Sequence, residues 1–352
     1  MVLLDKGFHF KVVRGHIYQF NDLSHSTSKK PGVVLRHSSK VCITGAAGFV
    51  GRRLAQLLIC SNRHVYGVVR NLGSLCPNGG IKYSVVGDIG SETSWLAALA
   101  GADCVIHCAA RAHVTSEAEV DPLAAYRAAN VEGTRRLMEQ AVEAGVKRLV
   151  FLSSIGVLGT HTNRRSPFSV SDSPSPIEYY GISKWEAEQA LWDISAKTGL
   201  EVVIVRPPLV YGPGVKGNLA RLLKLVRSGL PLPLGAVQNK RSLIGLDNLV
   251  DLLIRCVDHP AAAGQTFLVS DGEDLSTPDL LRHMSAAMNR SARLVPVPVP
   301  LLRLAGSALG KRAEIDRLVG SLQIDSSHTR QMLGWSPPVS VQEGIRRMVQ
   351  GS

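Results

Sequence analysis

Thr44-Gly45-Ala46-Ala47-Gly48-Phe49-Val50-Gly51 follows a short apolar run, Val41 to Thr44, and opens a segment with helical spacing, Phe49 to Cys60. Few chain geometries accept that order. The glycine spacing G-x-x-G-x-x-G is weak alone, because glycines also simply end strands. Between a strand and a helix it acquires meaning: the backbone can turn tightly and approach a pyrophosphate, which the helix N-terminus stabilises with unpaired N–H groups and its dipole. Gly45, Gly48, Phe49, Val50 and Gly51 are therefore candidate dinucleotide contacts.

The alternation continues. Apolar strand-like runs at Val65–Val69, Lys82–Val86, Cys104–His107, Leu149–Leu152 and Val202–Val205 are separated by helical patterns at Glu92–Ala100, Pro122–Glu143 and Tyr180–Lys197. Parallel strands need crossovers, and the crossovers cover both faces, so the expected architecture is α/β: a Rossmann-type doubly wound parallel sheet. After Arg206 prolines break the elements, which predicts a smaller C-terminal substrate-binding lobe over 207–352 beside a nucleotide-binding domain over 39–206. Residues 243–270, with helix-like Leu246–Val257 and strand-like Thr266–Val269, are expected to return to the first domain.

Charge narrows the partners. The 352 residues carry 40 Lys and Arg against 28 Asp and Glu, a formal +12, but residues 1–40 alone hold seven bases and two acids. With aromatics at 5% and no zinc-finger spacing, nucleic-acid binding is not expected. Residues 1–38 show no sustained period and read as a basic, flexible extension or the product of an upstream start. The six cysteines lack any CxxC and read as small core residues, and no metal site is expected. No run of about 18 apolar residues exists, so no membrane insertion is expected, and a cytoplasmic setting is.

Where many NAD binders place an acid for the ribose 2′-hydroxyl, the second strand ends in Arg70. A guanidinium there pairs with a 2′-phosphate, favouring NADP over NAD, unless it is simply a surface arginine. Asp88, beside Ile89, either accepts from an adenine amino group or caps a turn. Ala109 and Ala110 suit close passage beneath a dinucleotide, while His107 reads as a buried structural histidine. Tyr180 and Lys184 stand at i and i+4 on one helical face, and Ser154 ends the strand before that helix. A phenol is a poor base near neutrality unless cations, here Lys184 and an oxidised nicotinamide, favour the phenolate.

The segments TGAAGFVG, HCAAR, NVEGT, FLSSIGVLG, YYGISK and RPPLVYGPG resemble the signatures of extended short-chain dehydrogenases/reductases acting on nucleotide sugars, over about residues 40–350. The resemblance implies a catalytic triad of Ser154, Tyr180 and Lys184, cofactor-region contacts from Asn130 and Pro207, and a homodimer. Later segments, PPLVYGPGVKGNLARLLKLV, LPLGAVQNKRSLIGLDNLVDLL and FLVSDGEDLSTPDLL, resemble the subgroup forming N-acetylquinovosamine nucleotides. That implies reduction at C4 of a UDP-4-keto-6-deoxy-N-acetylglucosamine for surface-polysaccharide synthesis, with Asn218 at the sugar or phosphate and Arg241 at the diphosphate. Ser154 is followed by Ile155-Gly156 instead of an Asp-Glu pair, which argues against dehydration, and no G-x-S-x-G suggests a hydrolase. A UDP-sugar 4-epimerase using the same triad is the nearest rival, and a non-catalytic NAD(P)-binding regulator the remote one.

Overall fold

The computed structural model describes residues 39–74, 81–112 and 121–351, together with the backbone of 8–13 and 16–21. The chain divides into two units, Met1–Leu35 and Arg36–Ser352. In the first, β1 (Phe8–Val13) and β2 (His16–Asn21) pair antiparallel. Part of the expected flexible extension is thus a hairpin. Alternation of Phe8, Phe10 and Val12 with His9 and Lys11 over six residues is a strand pattern too short to register as a sustained period.

The second unit is built on seven parallel strands: β3 (Lys40–Thr44), β4 (His64–Val69), β5 (Lys82–Val85), β6 (Cys104–His107), β7 (Arg148–Leu152), β8 (Glu201–Arg206) and β11 (Gln265–Leu268), in the spatial order β11-β8-β7-β6-β3-β4-β5. Val41–Thr44 and Val202–Arg206 are buried residue after residue, as strands covered on both faces must be. One face carries α1 (Phe49–Cys60) and α7 (Leu246–Asp258), whose Leu54, Leu58, Leu249 and Leu253 share a core with Ile43 and Val150. The other carries α2 (Leu96–Leu99), α4 (Gly133–Glu143) and α5 (Tyr179–Thr198), where Leu99, Leu137 and Leu191 pack on Val105 and Phe151.

Two helices differ from expectation for stated reasons. The helix expected from Glu92 shrinks to α2 because Gln140, reaching from α4, accepts the N–H groups of Trp95 (2.6 Å) and Leu96 (3.0 Å) and donates to Thr93 O. The helix expected over Pro122–Glu143 is α3 (Pro122–Arg127), one π turn over Ala128–Glu132, then α4. Such wide turns mark functional sites.

A second layer joins β9 (Leu209–Tyr211), β10 (Arg241–Gly245) and β12 (Asp274–Leu275) in the order β12-β10-β9. Around it pack α6 (Gly217–Ser228), α8 (Thr277–Ala286), α9 (Val299–Ala308), α10 (Arg312–Val319) and α12 (Val341–Gln350), while α11 (Ser327–Leu333) packs against β11. Thus Leu246–Leu268 covers and extends the large sheet, whereas residues 243–245 belong to the small one. Cys42, Cys104 and Cys256 are buried, Cys108 is half-buried and Cys60 is exposed; Cys76 lies outside the described residues. Among the described residues no helix is long and apolar enough to cross a membrane.

Candidate active site

Strand order reverses between β3 and β6, so the crossovers from these two strands diverge and leave a crevice at their C-terminal ends. The glycine turn lies there. Gly45 has φ +68°, and a Cβ on it would stand 2.8 Å from Ala109 N, so the turn after β3 and the loop after β6 approach as only glycine allows. Beneath it, a Cβ on Gly51 would stand 2.2 Å from Gly45 O. Gly48 caps α1 with no side-chain hydrogen bond and no acid in the first turn, leaving the end electropositive. Phe49 and Val50 are half-buried beside it. This cradle fits a dinucleotide pyrophosphate. Gly45→Ala is expected to cost about 2 kcal/mol of stability and to weaken dinucleotide binding at least tenfold, checked by denaturant titration and by cofactor fluorescence.

At the far end Arg70 and Asp88 form an exposed ion pair, Nε to Oδ1 2.9 Å. The two residues weighed separately in the sequence face each other, each supplying the other's counter-charge. Ile89 instead packs on α4, where a Cβ on Gly133 would strike its Cγ2 at 2.2 Å. Asn130, in the π turn, accepts from Arg111 N (2.8 Å) and donates to Arg111 O and Ser183 Oγ (both 3.0 Å), so it ties the Ala109–Ala110 loop to α5. Its amide is spent on the loop that borders the crevice.

Ser154 follows β7 and its Oγ accepts from Gly156 N at 3.1 Å, leaving the hydroxyl hydrogen to donate. The turn it caps lies directly on α5: a Cβ on Gly181 would stand 2.6 Å from Gly156 O. Ser154 and Tyr180 are thereby brought to the same corner. Two backbone bonds, Ser153 N to Val205 O (2.8 Å) and Ile155 N to Pro207 O (2.9 Å), fix that corner to β8, with Pro207 buried. Tyr180 is half-buried, edge-on to Tyr126 at 6.2 Å. Lys184, one turn on, is fully buried with Nζ 3.8 Å from the centroid of Phe151.

The electrostatics correct one expectation. Burial, with the neighbouring Tyr126 adding to it, pushes the Tyr180 phenol up to about 12 rather than down. Lys184 has itself given way: burial lowers its ammonium to about 7, against a raising influence of Glu188. For Lys184 desolvation outweighs the attraction of Glu188, and for Tyr180 no cation opposes it.

Two buried networks support the site: the sequence marked His107 of the first as structural, but neither Glu188 nor Arg206 of the second. Thr44 Oγ1 meets His107 Nδ1 at 2.6 Å while accepting from Ala109 N at 3.2 Å, and His107 Nε2 meets Thr134 Oγ1 at 3.0 Å. Burial and the Lys184 charge lower this imidazole to about 3, so His107 is neutral and structural, stacked on Phe151. In the second network Glu188, fully buried, receives Arg206 through Nε (3.0 Å) and Nη2 (2.5 Å) and accepts from Ser153 Oγ. Tyr180, Lys184 and Glu188 stand at i, i+4 and i+8, a spacing legible in the sequence once the helix is known.

The substrate-side candidates lie in the second layer. Asn218 is the exposed second residue of α6. Arg241 opens β10, and its Nη1 donates to Arg317 O (2.7 Å) and Gly320 O (3.1 Å), closing the C-terminal end of α10. Burial lowers its affinity for its proton. Among the described residues no cluster of His, Cys, Asp and Glu is arranged to hold a metal ion.

Comparison with known proteins identifies the family. A model of the NAD dependent epimerase/dehydratase family matches residues 41–270. A UDP-glucose 4-epimerase of Vibrio cholerae is 45% identical over 88% of this chain and 94% of the relative. The N-acetyl-alpha-D-glucosaminyl-diphospho-ditrans,octacis-undecaprenol 4-epimerase of Escherichia coli O157:H7 is 27% identical over 89% and 95%. The solved UDP-glucuronic acid 4-epimerase from Bacillus cereus, in complex with NAD, shares the fold at TM-score 0.71 and 22% identity, covering 89% of this chain and 96% of that one. With the family model spanning the glycine turn, Ser154, Tyr180, Lys184 and the last strand of the sheet, the chain belongs to the NAD dependent epimerase/dehydratase family.

Proposed function

We propose that the protein moves hydride at C4 of a UDP-linked hexose, with Tyr180 exchanging the proton of the C4 oxygen. The observation that carries this reading is the convergence of Ser154 and Tyr180 on one corner, with Lys184 one turn along the same helix. A bound nicotinamide supplies or accepts the hydride. Tyr180 gives its proton to the C4 oxygen in reduction and removes it in oxidation. Ser154, its oxygen already held by Gly156 N, donates to the same sugar oxygen. Lys184, held over Phe151, lies one turn behind the phenol on the same helix. Arg241 and Asn218 are proposed to face the diphosphate and the sugar.

Epimerisation at C4 with NAD is placed first, because similarity to the Vibrio cholerae 4-epimerase runs the length of both chains. Its balance requires no net cofactor use. One-way reduction of a UDP-4-keto-6-deoxy-hexosamine is the second reading, favoured by Arg70, whose exposed guanidinium at the end of β4 suits the 2′-phosphate of NADPH if it leaves Asp88. A homodimer through the outer face of α4 and α5, and a cytoplasmic setting consistent with the unpaired thiols, complete the proposal.

Purified protein is incubated with UDP-galactose without added cofactor, and with the 4-keto sugar plus NADPH or NADH. UDP-glucose appearing without net cofactor change establishes the epimerase. Stoichiometric loss of reduced cofactor with the keto sugar establishes the reductase. Turnover of neither substrate overturns C4 chemistry on these sugars.

A further inference from the structure

Positive charge is concentrated on the second layer in two stretches. Residues 207–246 hold six Lys and Arg and no Asp or Glu; residues 280–313 also hold six, of which Arg282, Arg303, Lys311 and Arg312 pair with Asp279, Asp316 and Glu314 just outside that stretch. All but Arg241 are exposed. The fold brings the stretches together: Leu232 N donates to Arg293 O (2.8 Å), Val295 N to Leu232 O (2.8 Å), and the Arg290 guanidinium to Arg227 O (2.8 Å).

The second stretch runs into α9, whose apolar side faces the wrong way for a core helix. Leu302 and Gly306 point inward, Gly306 so close to α10 that a Cβ would meet Ile315 at 2.7 Å. Leu301, Leu304, Ala305 and Ala308 share the opposite face, at i, i+3, i+4 and i+7, and are exposed. Leu301 is 55% exposed, Leu304 67% and Leu309, just past the helix, 74%. In the segment entering the helix Val295 is exposed too, as is Leu230 in the adjoining turn. Arg303 lies away from this face and is paired with Asp316, while Lys311 and Arg312 after the helix pair with Glu314 and Asp316. A stripe of leucines in water, with the exposed bases Arg290 and Arg293 before it, marks a contact surface.

We propose that this surface docks the protein on an anionic phospholipid bilayer, the α9 leucines entering the headgroup boundary and the flanking arginines meeting lipid phosphates. Nucleic acid would satisfy the bases and offer nothing to the leucines. A bilayer surface presents negative charge and an apolar phase across one plane, which is the pairing this face requires. The proposal is independent of the chemistry assigned to Tyr180.

The test is flotation of the full chain with vesicles of phosphatidylcholine and phosphatidylglycerol, about 70:30, against pure phosphatidylcholine, at low salt and at about 0.5 M NaCl. Wild type is expected to bind the anionic vesicles at least about tenfold better than the neutral ones and to lose most of that in high salt. L301S/L304S/L309S and R290E/R293E are each expected to weaken binding at least about fivefold, with unchanged melting temperature and unchanged turnover in vesicle-free solution. Absence of wild-type binding overturns the proposal, as does equal binding to neutral vesicles. Binding that both variants retain assigns the lipid affinity to other bases, such as those of residues 1–40, and overturns it as well. A leucine variant that changes particle mass by light scattering but not flotation identifies the face as an interface between copies instead.

Discussion

Tyr180→Phe is expected to lower kcat by about 10³-fold while changing KM for the UDP-sugar by less than about threefold. Phe keeps the ring against Tyr126 and removes only the hydroxyl, so the fold and the substrate contacts survive and the proton transfer does not. A change confined to kcat marks an interaction made only as the reaction proceeds. Retention of more than about a tenth of wild-type kcat would sink the assignment.

The pH dependence sharpens that expectation. With the phenol pushed up to about 12, Tyr180 is protonated at neutral pH and ready to donate to an alkoxide, but it acts as a base only after losing a proton that burial makes it keep. Oxidation of a sugar hydroxyl is therefore the half-reaction that accelerates as pH rises, and reduction is the half that stays level through neutrality. An epimerase must run both halves, so its kcat follows the oxidation limb. The slope of kcat below about pH 7, where Lys184 keeps its charge, is expected to be positive in wild type and absent in Tyr180→Phe.

Most of what positions this chemistry is local in sequence. Gly45 and Gly51 sit six residues apart in one turn, and Tyr180 and Lys184 four apart in one helix, so their spacing is legible once the strand-turn-helix context is read with it. What spacing does not announce is set across long separations. Gln140 shortens α2 from more than 40 residues away, Arg241 closes α10 through carbonyls 76 and 79 residues on, and Arg70 meets Asp88 only because β4 and β5 are neighbours. The direction of the Tyr180 shift was likewise invisible, since it comes from how deeply tertiary packing buries the phenol, whereas its spacing from Lys184 suggested the opposite sign.

Glu188→Gln is expected to destabilise the protein by about 3 kcal/mol and to move the alkaline limit of activity to lower pH. The carboxylate is wholly buried and receives two nitrogens of Arg206 together with Ser153 Oγ, so neutralising it leaves a buried guanidinium without a counter-charge. Restoring the balance by removing both charges, as Glu188→Leu with Arg206→Met, is expected to recover most of that stability, because apolar replacements of a buried pair are often neutral or better. The second effect has a definite sign. Burial has already lowered Lys184 to about 7, and Glu188 opposes that fall. Without the carboxylate the ammonium loses its proton at lower pH still, and activity that needs Lys184 charged fails earlier as pH rises. A stability role alone would leave the pH profile in place, whereas a positioning role through Lys184 shifts it. An unmoved alkaline limb in folded Glu188→Gln protein would confine Glu188 to the scaffold, and a stability loss below about 1 kcal/mol would remove even that.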